Sequence, residues 1–344
     1  MLTSPQKKRF HHTMMYLIEP SPLKTTKPKC SARGEASAIL TRAGYKKFYI
    51  PRNRTIFDRI KNTPRLVIQA FSLYWKLRGG TLFIQWPTKF CPVEKLYRWV
   101  ISRRCGNLQL LVHDLDYLRG ASEKNLERSL KMFRLSNLII LHSVAMKEFV
   151  VEQGIDAFKI KVIECFDYLT KDEITRSKIR TKDVVFVGQL DRCSFLDKVT
   201  EADLGVHVNL YGRFQKDLGT GITHKGAFRA DNVSVFEGSW GLVWGGDTID
   251  ECTGEMGDYL RYNSPHKLSL FIVAHLPIII WDKAAKSEYV KEKGIGICIS
   301  SLREISKAID AVTDKEYELM IKNIEKESLK LRSGRQLLAC LNIT

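Results

Sequence analysis

No stretch of this 344-residue chain holds the uninterrupted apolar residues, roughly 18–20, that a membrane-crossing helix requires. The nearest, Leu268 to Trp281, is broken by His275 and Pro277 and reads as a core helix passing into a strand. At the start, Gln6-Lys7-Lys8-Arg9 precedes only the short apolar run Met14 to Ile18, so a secretory signal is not expected, and Met14 or Met15 is a candidate start. The eight cysteines form no CxxC pair and, apart from Cys91 and Cys105, lie at least 28 residues apart. That spacing excludes a zinc ribbon and a disulfide framework, so reduced cytosolic thiols are expected. Also missing are GxxxxGK[ST], GxSxG and HExxH, which removes support for a P-loop NTPase, a serine hydrolase or a zincin. His11, His12, His207 and His224 have no metal-ligand spacing, and no metal site is expected.

Acidic residues are scarce in one half only. The chain carries 55 Lys+Arg against 38 Asp+Glu, a net charge of +17, yet residues 1–150 hold 28 basic and only 9 acidic residues, a net of +19. Residues 151–344 are close to neutral at −2. A surplus confined to one part implies two units facing different partners. Hydrophobic residues at 44% and charged residues at 27% are globular composition, and the length suits two ordinary domains.

What is present is an alternation of strand-like and helix-like runs. Met15–Glu19, Lys47–Ile50, Thr81–Gln85, Leu108–Val112 and Leu138–Leu141 read as buried strands, with helical spacing over Ala36–Ala43, Ile56–Leu77, Val93–Arg103 and Glu123–Arg134. A second alternation has strands at Val184–Val187, Val206–Leu210, Ser234–Phe236, Gly241–Trp244, Pro277–Trp281 and Gly296–Ile299. Its helices are expected at 265–275, 283–293, 302–312 and 314–332. Such alternation gives βαβ units and parallel sheets covered on both faces. The expected organisation is a basic N-terminal unit over 1–168, a polar linker over 169–182 and a second unit over 183–313. C-terminal helices over 314–344 would then pack back on the first unit. Two consecutive Rossmann-like domains result, and ligands of open α/β sheets bind at the carboxyl ends of the strands.

Three clusters follow strands. Trp240 to Asp247 delivers Gly245-Gly246-Asp247 to a sheet edge. After Gly254, Gly257 and Tyr259, Asn263-Ser264-Pro265 then opens a helix bearing His266, Lys267 and Ser269. Asn263 or Ser264 is the expected cap with Pro265 in the first turn. Free N–H groups with a lysine one turn in would seat a diphosphate, although a plain capped amphipathic helix fits the spacing equally well. His113-Asp114-Leu115-Asp116 sits directly beyond an apolar strand, where a general base would be placed. The plainer reading has Asp114 or Asp116 capping the next helix and pairing with Arg119. Gly188-Gln189-Leu190-Asp191-Arg192 is a strand-to-turn junction whose Arg192 could meet phosphate, and Tyr211 ends a strand where it could stack on a base or simply pack.

The segment from Gly241 through Asn263-Ser-Pro-His-Lys267-Leu-Ser-Leu270 to Leu276-Pro-Ile-Ile-Ile-Trp281-Asp-Lys-Ala-Ala285 resembles the bacterial β-1,6-galactofuranosyltransferase family and its glucosyltransferase 3-like members. Tyr289-Val290, Gly294-Ile-Gly296 and Ser301-Leu302 continue the likeness, and His113–Gly120, Phe166–Leu169 and Gly188–Arg192 resemble further blocks, together spanning about 105–305. The first ~80 residues, including the loop Ser21–Ser31, match poorly. Where the family pattern has Trp-Asp-Gly this chain has Trp244-Gly245-Gly246, which leaves Asp247 as the carboxylate of that turn.

The resemblance implies a GT-B fold, two Rossmann-like domains facing each other across a cleft. It also implies inverting, metal-independent transfer of a hexose, galactofuranose or glucose, from a UDP-sugar co-substrate to a saccharide acceptor, without a cofactor. On it, Asp114 or Asp116 supplies the catalytic base, with His113 as third choice. Gly188, Arg192, Tyr211, Asp247, Tyr259, Asn263, Ser264, Pro265, His266, Lys267 and Ser269 line the donor site, with Tyr211 near the base and Lys267 on the diphosphate. A polyprenyl-diphosphate-linked acceptor and peripheral docking of the basic unit on the anionic inner face of the plasma membrane fit the charge distribution. A homo-oligomer stays open. The rival is a basic, non-catalytic nucleic-acid-binding protein, suggested by Tyr45-Lys-Lys-Phe-Tyr49 and Pro51-Arg-Asn-Arg54, though no known nucleic-acid motif is present.

Overall fold

The structure is a computed structural model and describes residues 14–21, 32–52, 55–88, 90, 92–175, 180–213, 219–229 and 231–343. The run Gln6–Arg9, His11, His12, Cys30, Arg54, Cys91 and the loop beyond Ser21 lie outside the described residues.

The first unit is a six-stranded parallel sheet. Its strands are β1 (Met15–Pro20), β2 (Lys46–Ile50), β3 (Thr81–Trp86), β4 (Asn107–Val112), β5 (Leu138–Leu141) and β6 (Ile160–Val162), in spatial order β2-β1-β3-β4-β5-β6. The connecting helices are α1 (Ala32–Arg42), α2 (Ile56–Leu77), α3 (Glu94–Arg104), α4 (Glu123–Leu135) and α5 (Val144–Glu152). β3 is buried at every position: Leu82, Ile84 and Trp86 enter one core, while Phe83 enters the opposite one with Leu17, Leu111 and Ile140. A strand covered on both faces reads as a continuous apolar run, which is how it appeared in the sequence. α2 starts where Thr55 and Asp58 form a reciprocal capping box and stops where Arg78 turns left-handed.

The second unit repeats the plan with β7 (Val184–Val187), α6 (Phe195–Glu201), β8 (Val208–Tyr211), β9 (Ile222–Gly226), β10 (Trp240–Val243), α7 (Gly254–Asp258), α8 (His266–Val273), β11 (Ile278–Trp281), α9 (Ser287–Lys293), β12 (Gly296–Ile299), α10 (Ile305–Ala311), α11 (Asp314–Arg332) and α12 (Arg335–Cys340). All its pairings are parallel, in order β12-β11-β10-β7-β8-β9. This is the dinucleotide-fold order, with the reversal of direction between β7 and β10.

Ser234–Phe236 is not a strand, contrary to the sequence expectation. Its backbone is satisfied by side chains instead: Ser234 N–H donates to Asp172 Oδ2 at 2.8 Å, and the Tyr211 hydroxyl donates to Val235 O at 3.0 Å and accepts from Glu237 N–H at 2.9 Å. β9, a half-exposed stretch with too few apolar residues to register as a strand, takes the sheet edge.

α11 packs on α8, and α12 then lands on the first unit, where Leu337, Cys340 and Leu341 join the core of Leu17, Ala36 and Phe83. Asp167 fixes that return by accepting from Gln336 N–H at 3.1 Å and Leu337 N–H at 2.9 Å. Burial pushes its carboxyl up to about 7, with Glu35 adding to the effect and the two N–H donors opposing it. A folded pKa above the unfolded value contributes stability that is complete at low pH and is lost as pH rises through 7. On going from pH 5 to pH 8, Asp167→Asn should therefore gain about 2 kcal/mol relative to wild type in urea unfolding. A difference that does not change with pH would contradict a protonated Asp167.

Candidate functional site

At the point where the second sheet reverses direction, the ends of β7 and β10 open toward the first unit. Gly241 brings α8 directly onto β10, because a Cβ there would lie 2.5 Å from Phe271 Cγ. α8 thereby delivers Lys267 to the gap between the two strand ends. Its Nζ donates to Trp244 O at 3.2 Å and sits 4.1 Å from the centroid of the Phe186 ring. Burial lowers the Lys267 pKa, with the nearby Cys193 and Cys252 thiols acting the other way. Among the described residues no carboxylate pairs with it. Its charge is thus held by one carbonyl and one aromatic face, an incomplete exchange for lost hydration.

Around this lysine, Gly188 ends β7 with open space where a side chain would stand, and Arg192 is exposed on the turn that follows. Gly246 has φ 94°, and a Cβ there would meet Thr253 O at 2.1 Å, so the turn after Trp244 requires glycine. Asp247 is exposed and accepts from Ser194 Oγ at 2.8 Å.

The start of α8 differs from expectation. Pro265 occupies the cap position, and neither Asn263 nor Ser264 caps with its side chain. Ser264 instead donates its backbone N–H across the cleft to Nδ1 of His142, at 2.9 Å. Asn263 Oδ1 and Ser264 Oγ are buried without a hydrogen-bond partner, two acceptors left open beside an uncapped helix start.

Three histidines from three elements surround Phe166. His113 stacks on it at 5.5 Å and 6°, His142 approaches at 5.5 Å and 47°, and His266 at 6.3 Å and 62°, while Tyr168 stacks on His266 at 5.0 Å. Burial drives His142 down to about 3, with Lys286 adding to the shift. It drives His113 well below the histidine range, helped by Arg33, His142 and His266. Both rings are neutral at physiological pH. His266 Nε2 faces Glu35 Oε2 at 3.1 Å.

The first unit contributes its own switch point, between β1 and β3. Arg33 donates to Gln85 O at 2.9 Å and Pro87 O at 3.1 Å. Gln85 Nε2 is held by Glu19, Ser37 and the Arg33 carbonyl, so its Oε1 accepts from His113 Nε2 at 2.7 Å. That network assigns the proton of His113 to Nε2 and leaves the lone pair on Nδ1. Asp114, half-buried, lies 3.4 Å from Arg119 and accepts from the Tyr259 hydroxyl at 3.4 Å. Tyr259 reaches across from the second unit and also accepts from Leu115 N–H at 3.2 Å. Burial raises the Asp114 pKa, moderated first by Arg119, then by Arg33, and also by the Tyr259 bond. Asp116 opens the short turn Asp116–Arg119 on the same side.

His113, Asp114, Asp116, Tyr259, Asn263, Ser264, Pro265, His266 and Lys267 therefore converge on one cleft, with Gly188 beside them. Two expected site residues are placed elsewhere. The Tyr211 ring is buried against Phe228 and Phe236 with its hydroxyl bonded to backbone, so it packs rather than stacking on a ligand. Ser269 is buried and donates to Phe166 O at 2.7 Å, which pins the two units together. Arg192 and Asp247 lie at the exposed rim. The sequence reading missed His142, Glu35, Arg33 and Gln85. His142 was available by the same signal that found His113, a polar residue directly after a buried parallel strand. The other three sit inside elements and are brought together only by the packing of α1 on β3.

Comparison with known proteins places this geometry. Residues 25–165 match the model described as glucosyltransferase 3-like, N-terminal domain, and residues 184–342 match its C-terminal domain. The β-1,6-galactofuranosyltransferase WbbI of Escherichia coli K12 is 31% identical over 231 residues, 65% of this chain and 67% of that protein. Glucosyltransferase 3 of Streptococcus gordonii is 22% identical over 233 residues, 67% and 68% of the two chains. Among solved structures, the Anabaena HepE protein crystallised with UDP and glucose superposes with a TM-score of 0.61 at 13% identity, over 96% of this chain and all of that one. Sucrose-phosphate synthase from Thermosynechococcus elongatus gives 0.64 at 13%, over 95% and 100%. These two likenesses speak to the fold, which is the GT-B arrangement expected from the sequence.

Because Arg119 is the largest influence holding the Asp114 pKa down, Arg119→Met should raise it further, read from the side-chain carboxyl carbon by NMR titration. An unchanged or lowered value would show that the pair does not couple.

Proposed function

The chain belongs to the glucosyltransferase 3-like family of glycosyltransferases, and on that premise we propose that it transfers a hexose from a UDP-sugar to a hydroxyl of a saccharide acceptor. The observation that carries the donor half is Lys267: a half-buried ammonium with one carbonyl partner and no carboxylate among the described residues, at the switch point of a nucleotide-type sheet, beside an uncapped helix start. A diphosphate would complete its coordination. Galactofuranose is the first choice of sugar, since the 31% identical relative is named for that transfer, and glucose, named in the 22% identical relative, is the second.

In the proposed reaction Asp114 takes the proton of the acceptor hydroxyl as its oxygen bonds to the anomeric carbon. The bond from that carbon to the diphosphate oxygen breaks, and its electron pair leaves with UDP. Attack from the side opposite the leaving group inverts the anomeric configuration. Asp114 is preferred to His113 because burial moves its pKa toward neutrality, whereas the same burial makes His113 a weaker base. Tyr259 and Arg119 hold the carboxylate and are positioning residues. Charge on departing UDP grows beside Lys267 and the α8 N–H dipoles, which favour the transition state over the ground state. No step in this scheme needs a metal ion. The rival of a non-catalytic nucleic-acid binder gives way to family membership.

The test is UDP release from UDP-galactofuranose, UDP-galactopyranose, UDP-glucose and UDP-N-acetylglucosamine with a panel of soluble saccharide acceptors. Acceptor-stimulated release with the first or third is expected, and Asp114→Asn should lower kcat by roughly a hundredfold or more. Release from none of the four, or an unchanged Asp114→Asn rate, contradicts the proposal.

A further inference from the structure

α2 has two apolar sides. Leu66, Ala70, Leu73 and Leu77 are buried against the sheet. On the other side Phe57, Ile60, Ile68, Phe71 and Trp75 are between 50 and 72% exposed, with exposed Pro64 completing the row at steps of three and four residues. At that spacing they form one continuous stripe along a helix of 22 residues. Monomeric soluble proteins rarely leave so much contiguous apolar surface open.

The rim of this stripe is basic. Lys61, Arg65, Lys76 and Arg78 are exposed along or just beyond the helix, and none of them has an ion pair among the described residues. The one acid of α2, Asp58, is engaged by the Thr55 N–H in the capping box. Lys46 and Lys47 are exposed on the adjoining edge strand β2, and Trp99 is 44% exposed on α3 alongside. The whole sits on the unit that carries +19 over residues 1–150.

We propose that this face docks on an anionic lipid bilayer, with the Phe, Ile and Trp side chains entering the headgroup region and the basic rim on its phosphates. Charge selects this occupant. A second copy of the chain would bring one strongly basic surface against another, whereas an anionic interface accepts both the apolar stripe and its charges. No described helix is long and apolar enough to cross a membrane, so the contact is superficial. α2 begins at the carboxyl edge of the first sheet, the edge that carries His113 and His142, so the docked face borders the cleft. An acceptor presented from a lipid carrier would then lie at the cleft mouth. That last step rests on the proposed transfer reaction; the docking itself does not.

The experiment is flotation of the full chain with vesicles of 30% phosphatidylglycerol in phosphatidylcholine, and of phosphatidylcholine alone, at 50 and 300 mM salt. Binding is expected to the anionic vesicles, weakening at least tenfold at the higher salt, with little binding to the neutral ones. Phe57→Ser/Ile60→Ser/Phe71→Ser should lower partitioning at least ~30-fold, and Lys61→Gln/Arg65→Gln/Lys76→Gln about fivefold per charge. Both variants keep the wild-type melting temperature within a few degrees and its UDP release with soluble acceptors, which separates loss of docking from loss of fold or of the transfer reading. Failure of the wild type to float with anionic vesicles overturns the proposal, as does undiminished binding by the variants. So does a wild-type dimer that the triple serine variant converts to monomer, because the stripe would then be a self-association face.

Discussion

The hydrogen bond from the Ser264 backbone to His142, buried beside the Phe166 ring, sets the relation between the two halves of the molecule. It ties the start of α8 to the end of β5, so that the carboxyl edges of the two sheets face one another. Lys267, three residues further along, is carried on the helix start that this bond holds against the first unit. The bond demands a neutral imidazole accepting at Nδ1, and burial supplies one by driving His142 down to about 3. Ser269 on the Phe166 carbonyl and Tyr259 on Asp114 reinforce the same geometry, while Asp167 and α12 close the far side. The cleft is therefore defined by contacts that cross it.

The electrostatics divide the same way as the topology. In the second unit a half-buried cation has few partners, an arrangement that favours an anionic ligand. In the first, Asp114 is buried enough to raise its pKa and is braced by Arg119, an arrangement that favours a base. Part of the positive surplus of the first unit, Lys61, Arg65 and Lys76 on α2 with Lys46 and Lys47 on β2, is exposed away from both.

Much of the fold was legible because buried parallel strands are nearly continuous apolar runs, and the structure keeps ten of the expected strands, although β2, expected to be buried, is an edge strand with Lys46, Lys47 and Tyr49 exposed. The elements that escaped, β6, β9, α5, α6 and α7, are short or half-exposed, so periodicity had little to register. Ser234–Phe236 misled because β-branched and aromatic residues can be buried in an irregular segment whose backbone is satisfied by Tyr211 and Asp172. For the site, residues directly following strands were found, since position along one strand is a local property. Tyr211 met that criterion and failed, its ring being turned into the core, a matter of side-chain packing that no spacing reports. Glu35, Arg33 and Gln85 depend on contacts between elements far apart in sequence and left no local trace.

The central claim is that donor and base lie on opposite walls of one cleft, with Lys267 serving the donor diphosphate and Asp114 serving the acceptor. Calorimetric titration of UDP into wild type, Lys267→Met and Asp114→Asn tests it most directly. The account predicts that Lys267→Met loses at least about tenfold in UDP affinity, while Asp114→Asn binds UDP as wild type does. Full affinity in Lys267→Met, or a comparable loss in Asp114→Asn, would contradict it.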